Sequence, residues 1–580
     1  MINNQITTLS SQISKEIQQF QTEVVPISDS HDFSQYKLVR RINLFENHIY
    51  PTGKFDSQGN YKYWFDVINS RIDSEVKNIN FGTKDARVYS ELKLDTIPCL
   101  VANLKLGEYL KDTGQAEEIN SAIEEGSGWG NVVWKKVKGG YERVDLKNFY
   151  VVNQTAKDLN ETPAIERHQL SSTDLRAMIG VWDNVKEVLE SCSSKTYKTE
   201  LSLQGQDTTV PYYDTYERNG EVCLKDLKET RGEEFEEGDK DKYVLAKVIG
   251  VGEKGTTSGV EIKYILFADT ISKMPYKEYH RSRYKGRWWR EGLYELLFDI
   301  QVRANQIGNQ IAQGLEYASK KVLYSPDKLL IQNIMTDMKN GDIVRASALN
   351  SVDFRMEGFD QLVAEWNRLI NLANDIANSR EVVQGQSLPS GTTLGAYNML
   401  NVNANKLFVF IREKLAIPLS EILQEVVVVD LIKNLKLKDI LTLTGDSDML
   451  ERLQEAIVED WYLQNLAILP PHTKEIADTI KQSQLEELKK RPQLMMKGIK
   501  MLFDGFKPRV RVDITGESLN LDADLQTLSV FIGMEGDLVR RTALIEMAMK
   551  KKSIDVANLP KSPPQPVVSP IQSAQLPVAK

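Results

Sequence analysis

The stretch PYKEYHRSRYKGRWWREGLYELLFDIQVRANQIGNQIAQGLEYAS, residues 275–319, decides how this chain is divided. Its first half interleaves basic and aromatic side chains, from Tyr276 through Tyr279, Arg281, Arg283, Tyr284, Lys285 and Arg287 to Trp288, Trp289 and Arg290. Its second half sets Leu293, Leu297, Ile300, Ile307, Ile311 and Leu315 on one stripe at helical spacing, which predicts a long amphipathic helix from about Gly292. The first half has two readings. Its cations could hold phosphates while its rings stack on bases, or its rings pack beneath the start of the helix. The second is preferred, because the apolar stripe begins immediately afterwards. The other side of the helix carries Asn305, Gln306, Asn309, Gln310 and Gln313, polar and uncharged. Such a face suits packing against other polar helices, a channel wall that DNA passes without sticking, or plain solvation.

Upstream of this stretch, residues 128–290 read as β-rich. NVVWKKVKGGYERVDL is two alternating runs joined at Gly139-Gly140, a hairpin signal. TVPYYDTYER and EVCLKDL continue the pattern around Asn219-Gly220, and KYVLAKVIGVG pairs with GVEIKYILFAD around a Gly-rich turn. One helix is expected near Ser172 to Ser191, capped by Ser172 or Thr173. Residues 1–127 read as helical and polar, with Ile13, Ile17, Phe20 and then Ile68, Ile72, Val76 at helical spacing. PTGKFDSQGNYKYW, between them, is rich in turn formers.

Downstream, Phe359, Leu362, Val363, Trp366, Leu369, Ile370, Ala373, Ile376 and Ala377 predict a second long helix. A third covers about 395–435 with Pro418 inside it, where a missing N–H and a ring clash predict a kink. More helices are expected to about Phe503, a short strand over Arg509–Thr515, and two last helices to about Lys551. The tail LPKSPPQPVVSPIQSAQLPVAK is expected to be extended and disordered.

Composition bounds the function. The chain has 580 residues, 41% hydrophobic and 27% charged, enough for a large core and about four domains by length. Its net charge of −8 argues against a simple DNA-coating protein. Cys99, Cys192 and Cys223 lie too far apart for a disulfide framework or a CxxC zinc site, so a reducing compartment fits. The first twenty residues show no secretory signal, and no run is long and apolar enough to span a membrane.

The chemical motifs are weak. Gly250 to Gly259 lacks the Lys that follows the last Gly of a phosphate loop, and it joins two strands, so a hairpin turn is the reading adopted. Glu233, Glu234, Glu236, Glu237, Asp239 and Asp241 lack calcium-loop spacing and read as a solvated loop. Asp446 with Asp448, and Asp522 with Asp524, form DxD pairs of the kind that hold metals in nucleases. No third carboxylate is marked, and carboxylates at helix starts are common. His31, His48, His168, His280 and His472 show no ligand spacing. No metal, cofactor or enzymatic activity is therefore expected.

The order of elements resembles the portal (head-to-tail connector) protein of tailed bacteriophages, especially the short-tailed-phage type. The resemblance is carried by Leu146-Lys-Asn-Phe149-Tyr150-Val-Val-Asn-Gln-Thr-Ala156, which lacks the family's leading proline, and by the entry from Tyr279 to Leu297. It continues through Lys321-Val-Leu-Tyr-Ser-Pro326 and Gly341-Asp-Ile-Val-Arg345 to the kinked helix at Pro418. It is best over 128–435. The fold it implies is α+β and portal-like: an N-terminal helical part of the wing (1–127), a β-rich wing (128–290), a two-helix stem (291–319 and 358–380) and an α/β clip between them (320–357). A tunnel loop (381–394), a long kinked helix with distal wing (395–505), a helical crown (506–555) and a disordered C-terminal tail (556–580) would follow.

The resemblance implies a dodecameric ring at one capsid vertex, through whose axial channel double-stranded DNA is packaged and ejected. It implies a homo-oligomer in the virion, assembled in the host cytoplasm, that nucleates head assembly with major capsid and scaffolding proteins. Terminase and a tail adaptor would dock at the clip, and the portal itself does not hydrolyse ATP. On this basis Glu381, Gln384, Gln386, Ser390, Thr392 and Thr393 are assigned to the tunnel loop. Arg380, Lys406, Asn305, Gln306, Asn309 and Gln313 are assigned to the channel lining. Lys321, Tyr324, Lys328, Lys339, Asp342 and Arg345 are assigned to partner docking. The alternatives are a metal-dependent nucleic-acid enzyme using Asp522 and Asp524, and a virion scaffold protein that forms no channel.

Overall fold

The computed structural model describes residues 8–28, 31–55, 59–91, 95–138, 140–192, 195–196, 211–254, 259–319, 322–324, 350–352, 358–378, 394–426, 447–466, 474–504, 506 and 508–514. The fold is α+β. The N-terminal part runs α1 (Thr8–Thr22), β1 (Val25–Ser28), β2 (His31–Phe33), α2 (Gln35–Glu46), α3 (Asn69–Ile79), β3 (Ala86–Tyr89), α4 (Thr96–Asp112) and α5 (Gln115–Trp129). The β-rich part runs β4 (Asn131–Val137), β5 (Gly140–Arg143), β6 (Phe149–Val151), β7 (Ala164–Ser171), α6 (Ser172–Ala177), α7 (Val185–Ser191), β8 (Lys195–Thr196), β9 (Pro211–Cys223), α8 (Leu224–Arg231), β10 (Tyr243–Lys254), β11 (Val260–Thr270) and β12 (Tyr276–His280). The remainder runs α9 (Leu293–Ser319), β13 (Val322–Tyr324), β14 (Asn350–Val352), α10 (Phe359–Ile376), α11 (Leu394–Val426), α12 (Ser447–Asn465), α13 (Lys474–Lys490), α14 (Pro492–Asp504) and β15 (Arg509–Val512).

A six-stranded antiparallel sheet takes the order β11-β10-β9-β7-β6, with β8 paired to β9. Its alternating strands bury both faces. Ile165, Tyr216, Val248 and Ile262 pack on Leu9, Ile13 and Ile17 of α1, while Ile249, Val251 and Leu266 pack on Leu175, Val185 and Val188 of α6 and α7. A second sheet, β12-β4-β5, is tied to the first by Lys135 of β4, which pairs with Glu166 of β7 and Glu217 of β9. The hairpins expected at Gly139-Gly140 and in the Gly-rich turn are present as β4–β5 and β10–β11.

Four expectations in this region are corrected. Asn219-Gly220 is not a turn: β9 runs straight through it, pairing Asn219 with Lys247 on one side and Ala164 on the other. Gly220 is needed for close approach, since a Cβ there would lie 2.6 Å from Pro163 Cα. LKDL, read as strand, opens α8 instead. The single helix expected over 172–191 is two helices, broken at Gly180 (φ 92°) and Asn184 (φ 57°). Its cap is Ser171, one residue earlier than expected, in a capping box with Asp174.

α9 starts where two backbones touch. A Cβ on Gly292 would lie 2.3 Å from the Gly128 carbonyl oxygen, and one on Gly130 (φ 87°) would lie 2.3 Å from the Arg290 carbonyl oxygen. The stripe of α9 then enters the core with Leu369 and Ala373 of α10. α10 packs on α9, and the two strands beyond them, β13 and β14, pair antiparallel with Val322 opposite Val352. α11 is helical through Pro418, which leaves the Lys414 carbonyl without its intrahelical donor. Phe408, Ile411, Leu415 and Leu419 of α11 pack with Val88 of β3 and Val510 and Val512 of β15. β15 pairs with β3, so Arg509–Val512 joins the same compact unit as the N-terminal helices. The expected crown and tail lie outside the described residues beyond 514, and the clip lies outside them except at β13 and β14.

Candidate functional site

Most of the basic and aromatic residues of 275–292 form a buried joint, with only Arg283, Tyr284 and Lys285 left on the surface. Trp288 and Trp289 are fully buried and meet edge to face at 6.0 Å. Trp288 Nε1 donates to Glu278 at 2.7 Å. Arg281 makes a bidentate pair with Glu75 of α3, both bonds 2.8 Å, and both side chains are buried. Arg287 pairs with Glu295 in the first turn of α9 at 2.8 Å. Lys414 of α11 donates to the carbonyls of His280, Arg281 and Ser282, at 3.0–3.4 Å. Lys277, Arg281, Lys285, Arg287 and Arg290 thus have partners within the protomer, as the packing reading expected, while Arg283 is exposed.

The polar side of α9 is largely committed inside the protomer. Four helical residues rise about 6 Å, close to the roughly 6.6 Å that two extended residues span. Side chains four apart on α9 can therefore follow alternate residues of an extended segment. Asn309 accepts from the Tyr63 N–H at 2.8 Å and donates to the Tyr63 carbonyl at 2.9 Å. Asn305 accepts from the Phe65 N–H at 2.9 Å. Gln301 accepts from the Val67 N–H at 2.9 Å and donates to the Phe65 carbonyl. The ladder binds residues 63–67 along the helix much as a neighbouring strand would. Asn305 is buried and Asn309 half-buried, so in the protomer neither side chain stands on the open face where the channel assignment placed it. Gln306 remains exposed and Gln313 half-buried. The signal for this ladder was present in the 301, 305, 309 spacing, but its partner lay in a stretch that reads only as turn formers.

Beside the ladder lies an open cleft of about 780 Å³ between α2, residues 50–52 and 62–64, and α9. Trp64 stands at its wall, stacked on His48 at 5.5 Å and edge-on to Tyr50 at 5.1 Å. Arg41 and Lys62 are its cations, and among the described residues no carboxylate lines it. Arg41 lies over the Phe298 ring at 4.2 Å and reaches the rim residue Asp299 at 3.4 Å.

A charged cluster sits between the two sheets. Glu166, His168 and Glu217 present ligand atoms within 4.8 Å of one another, a metal-site geometry that the sequence spacing concealed. The Lys135 ammonium is 2.7 Å from Glu166 and 2.8 Å from Glu217, and Lys247 is 3.1 Å from Glu217. Burial alone would raise the Glu217 carboxyl, but His168, Lys135 and Lys247 hold it far below the usual carboxylate range. Lys135 already fills the gap between the carboxylates, so the cluster fits a cross-sheet ion-pair lock and not a metal centre.

Lys406 is exposed on α11, and Tyr324 ends β13. Arg380, Glu381, Gln384, Gln386, Ser390, Thr392, Thr393, Lys321, Lys328, Lys339, Asp342, Arg345, Asp446, Asp522 and Asp524 lie outside the described residues. The acidic loop is tied by Asp239, which accepts from the Glu236 N–H at 3.1 Å and pairs with Lys228 at 2.7 Å. Among the described residues no helix is long and apolar enough to cross a membrane. Comparison with known proteins finds no family model and no curated protein that matches the chain.

Proposed function

We propose that the chain is the subunit of a ring-shaped DNA conduit of the bacteriophage portal type, expected as a dodecamer, acting in genome packaging and ejection and not as an enzyme. One observation carries the reading. Two long helices, α9 and α10, pack on each other and are joined by an excursion of the chain that starts and returns through the β13–β14 pair. This is the order of stem, clip and stem that the resemblance implies. The wing would be the two antiparallel sheets rooted on α9 at the Gly130–Gly292 contact, and α11 the helix that follows the tunnel loop.

Exposed apolar side chains on these helices support an assembly. Leu315 is 53% exposed, Leu372 42% and Ile376 37%. Apolar patches left open on a protomer mark contact surfaces, and a heterologous contact that closes gives a ring. In this reading terminase and a tail adaptor dock on the clip, and capsid and scaffolding proteins surround the wing. The net charge of −8 suits a conduit that must not trap DNA.

Mass photometry and negative-stain microscopy of the purified protein test the reading. Closed rings of about a dozen subunits with a central hole are expected; monomers alone, with capsid and scaffolding proteins present, would refute it. Shortening residues 381–394 should reduce DNA packaging while leaving ring assembly intact. Full DNA filling without that segment would remove the channel role assigned to it.

A further inference from the structure

The cleft beside the ladder repeats its chemistry one row further round α9. Gln301, Asn305 and Asn309 show that this helix binds an extended backbone through amides four residues apart. The neighbouring row, Gln306, Gln310 and Gln313, lines the cleft together with the cations Arg41 and Lys62 and the Trp64 and Tyr50 rings. The chemistry this selects is an extended peptide carrying carboxylates and an aromatic side chain.

The chain itself presents such a segment. After α8 ends at Gly232, Glu233-Glu234-Phe235-Glu236-Glu237 is exposed throughout, and residues 233–236 belong to no helix or strand. Phe235 is 45% exposed, with the Lys225 ammonium over its ring at 5.1 Å. We propose that this cleft is a docking site for the Glu233–Glu237 segment of a second copy of the chain. In the docked state the amide row holds the backbone at Glu234 and Phe235, since the Glu233 and Glu236 N–H groups are bonded to the Lys228 carbonyl and to Asp239. Arg41 and Lys62 receive its carboxylates, and Phe235 lies on Trp64 and Tyr50. Because donor segment and receiving cleft are different surfaces, the contact is head to tail and propagates from copy to copy. The proposal rests on the assembly reading above and names one contact in it.

The test separates the two. A fluorescent peptide of residues 231–238 is titrated onto the full-length protein, and binding is read by anisotropy. Wild type should bind it, with affinity falling as salt rises. The double variant R41E/K62E should lose at least about tenfold, and a peptide with Glu233 and Glu234 changed to Lys should recover binding to that variant. Gln306 and Gln310 are exposed helix positions, so Q306E/Q310E leaves the fold intact and should weaken the wild-type peptide similarly. No binding by wild type, or binding indifferent to both double variants, overturns the proposal. Rings with no peptide binding would leave the portal reading standing and this contact refuted. Peptide binding and charge-swap recovery without rings would do the reverse.

Discussion

At the scale of single residues, burial has decided which charges matter. Lys135 neutralises two carboxylates between sheets, with side chains only 13%, 12% and 6% exposed for Lys135, Glu166 and Glu217. Removing one member of a buried ion pair leaves an uncompensated charge, so Lys135→Met should cost about 3–5 kcal/mol in urea unfolding. Calorimetric titration of wild type with zinc or manganese should show no binding at this cluster; tight binding would overturn the ion-pair reading. Glu125 behaves differently. Burial raises its carboxyl to about 7, against the pull of Arg143, whose guanidinium is 2.8 Å away. An acid whose folded pKa lies above its unfolded value destabilises the fold as pH rises through that interval. Stability should therefore fall between about pH 4.5 and 7, on the order of 3 kcal/mol in all. Glu125→Gln should flatten that slope, which urea titrations at several pH values would read directly.

At the scale of elements, α9 does three jobs with three faces. Its apolar stripe joins the core, its Gln301–Asn305–Asn309 row fixes residues 63–67, and its next row opens on the cleft. Asn305→Leu should leave the Phe65 N–H without its acceptor and cost about 1–3 kcal/mol. It should also speed amide exchange at Tyr63, Phe65 and Val67 together, since the ladder holds them as one segment; unchanged exchange there would show that the ladder does not anchor it. The stripe of α9 was readable because helical spacing is local. The ladder's partner was not, because residues 61–67 show no period of their own and are held by a helix more than two hundred positions away. Likewise β9 reads as a turn at Asn219-Gly220 on local grounds. Its neighbours β7 and β10 and the approach of Pro163 make it a continuous strand.

At the scale of the whole molecule, distant segments share cores. Residues 509–512 complete a sheet with 86–89 and lie under α11, while Val101 of α4 enters the core of α12–α14. Glu425 near the end of α11 takes Lys136, Lys273 and Tyr141, and burial opposed by these partners leaves its carboxyl at about 2. The helix is thereby locked to the second sheet. An assembly built from such a protomer should tolerate acid poorly once these carboxylates protonate. In the proposed ring, dissociation followed by mass photometry is expected to begin below about pH 4. Rings intact at pH 2 would place the assembly's stability elsewhere.

The sequence by itself determined the α+β class, the long helices, the two Gly-containing hairpins and the packing of the Trp288–Trp289 joint. Each of these follows from spacing or turn chemistry within a few residues. Only the tertiary structure decided that Asn305 is buried, that Glu166, His168 and Glu217 converge around Lys135, and that a cationic cleft lies beside the polar row of α9. Those facts depend on which strand or segment lies opposite. Residue spacing does not encode that pairing, because it is settled by how the buried faces of remote elements close over one another.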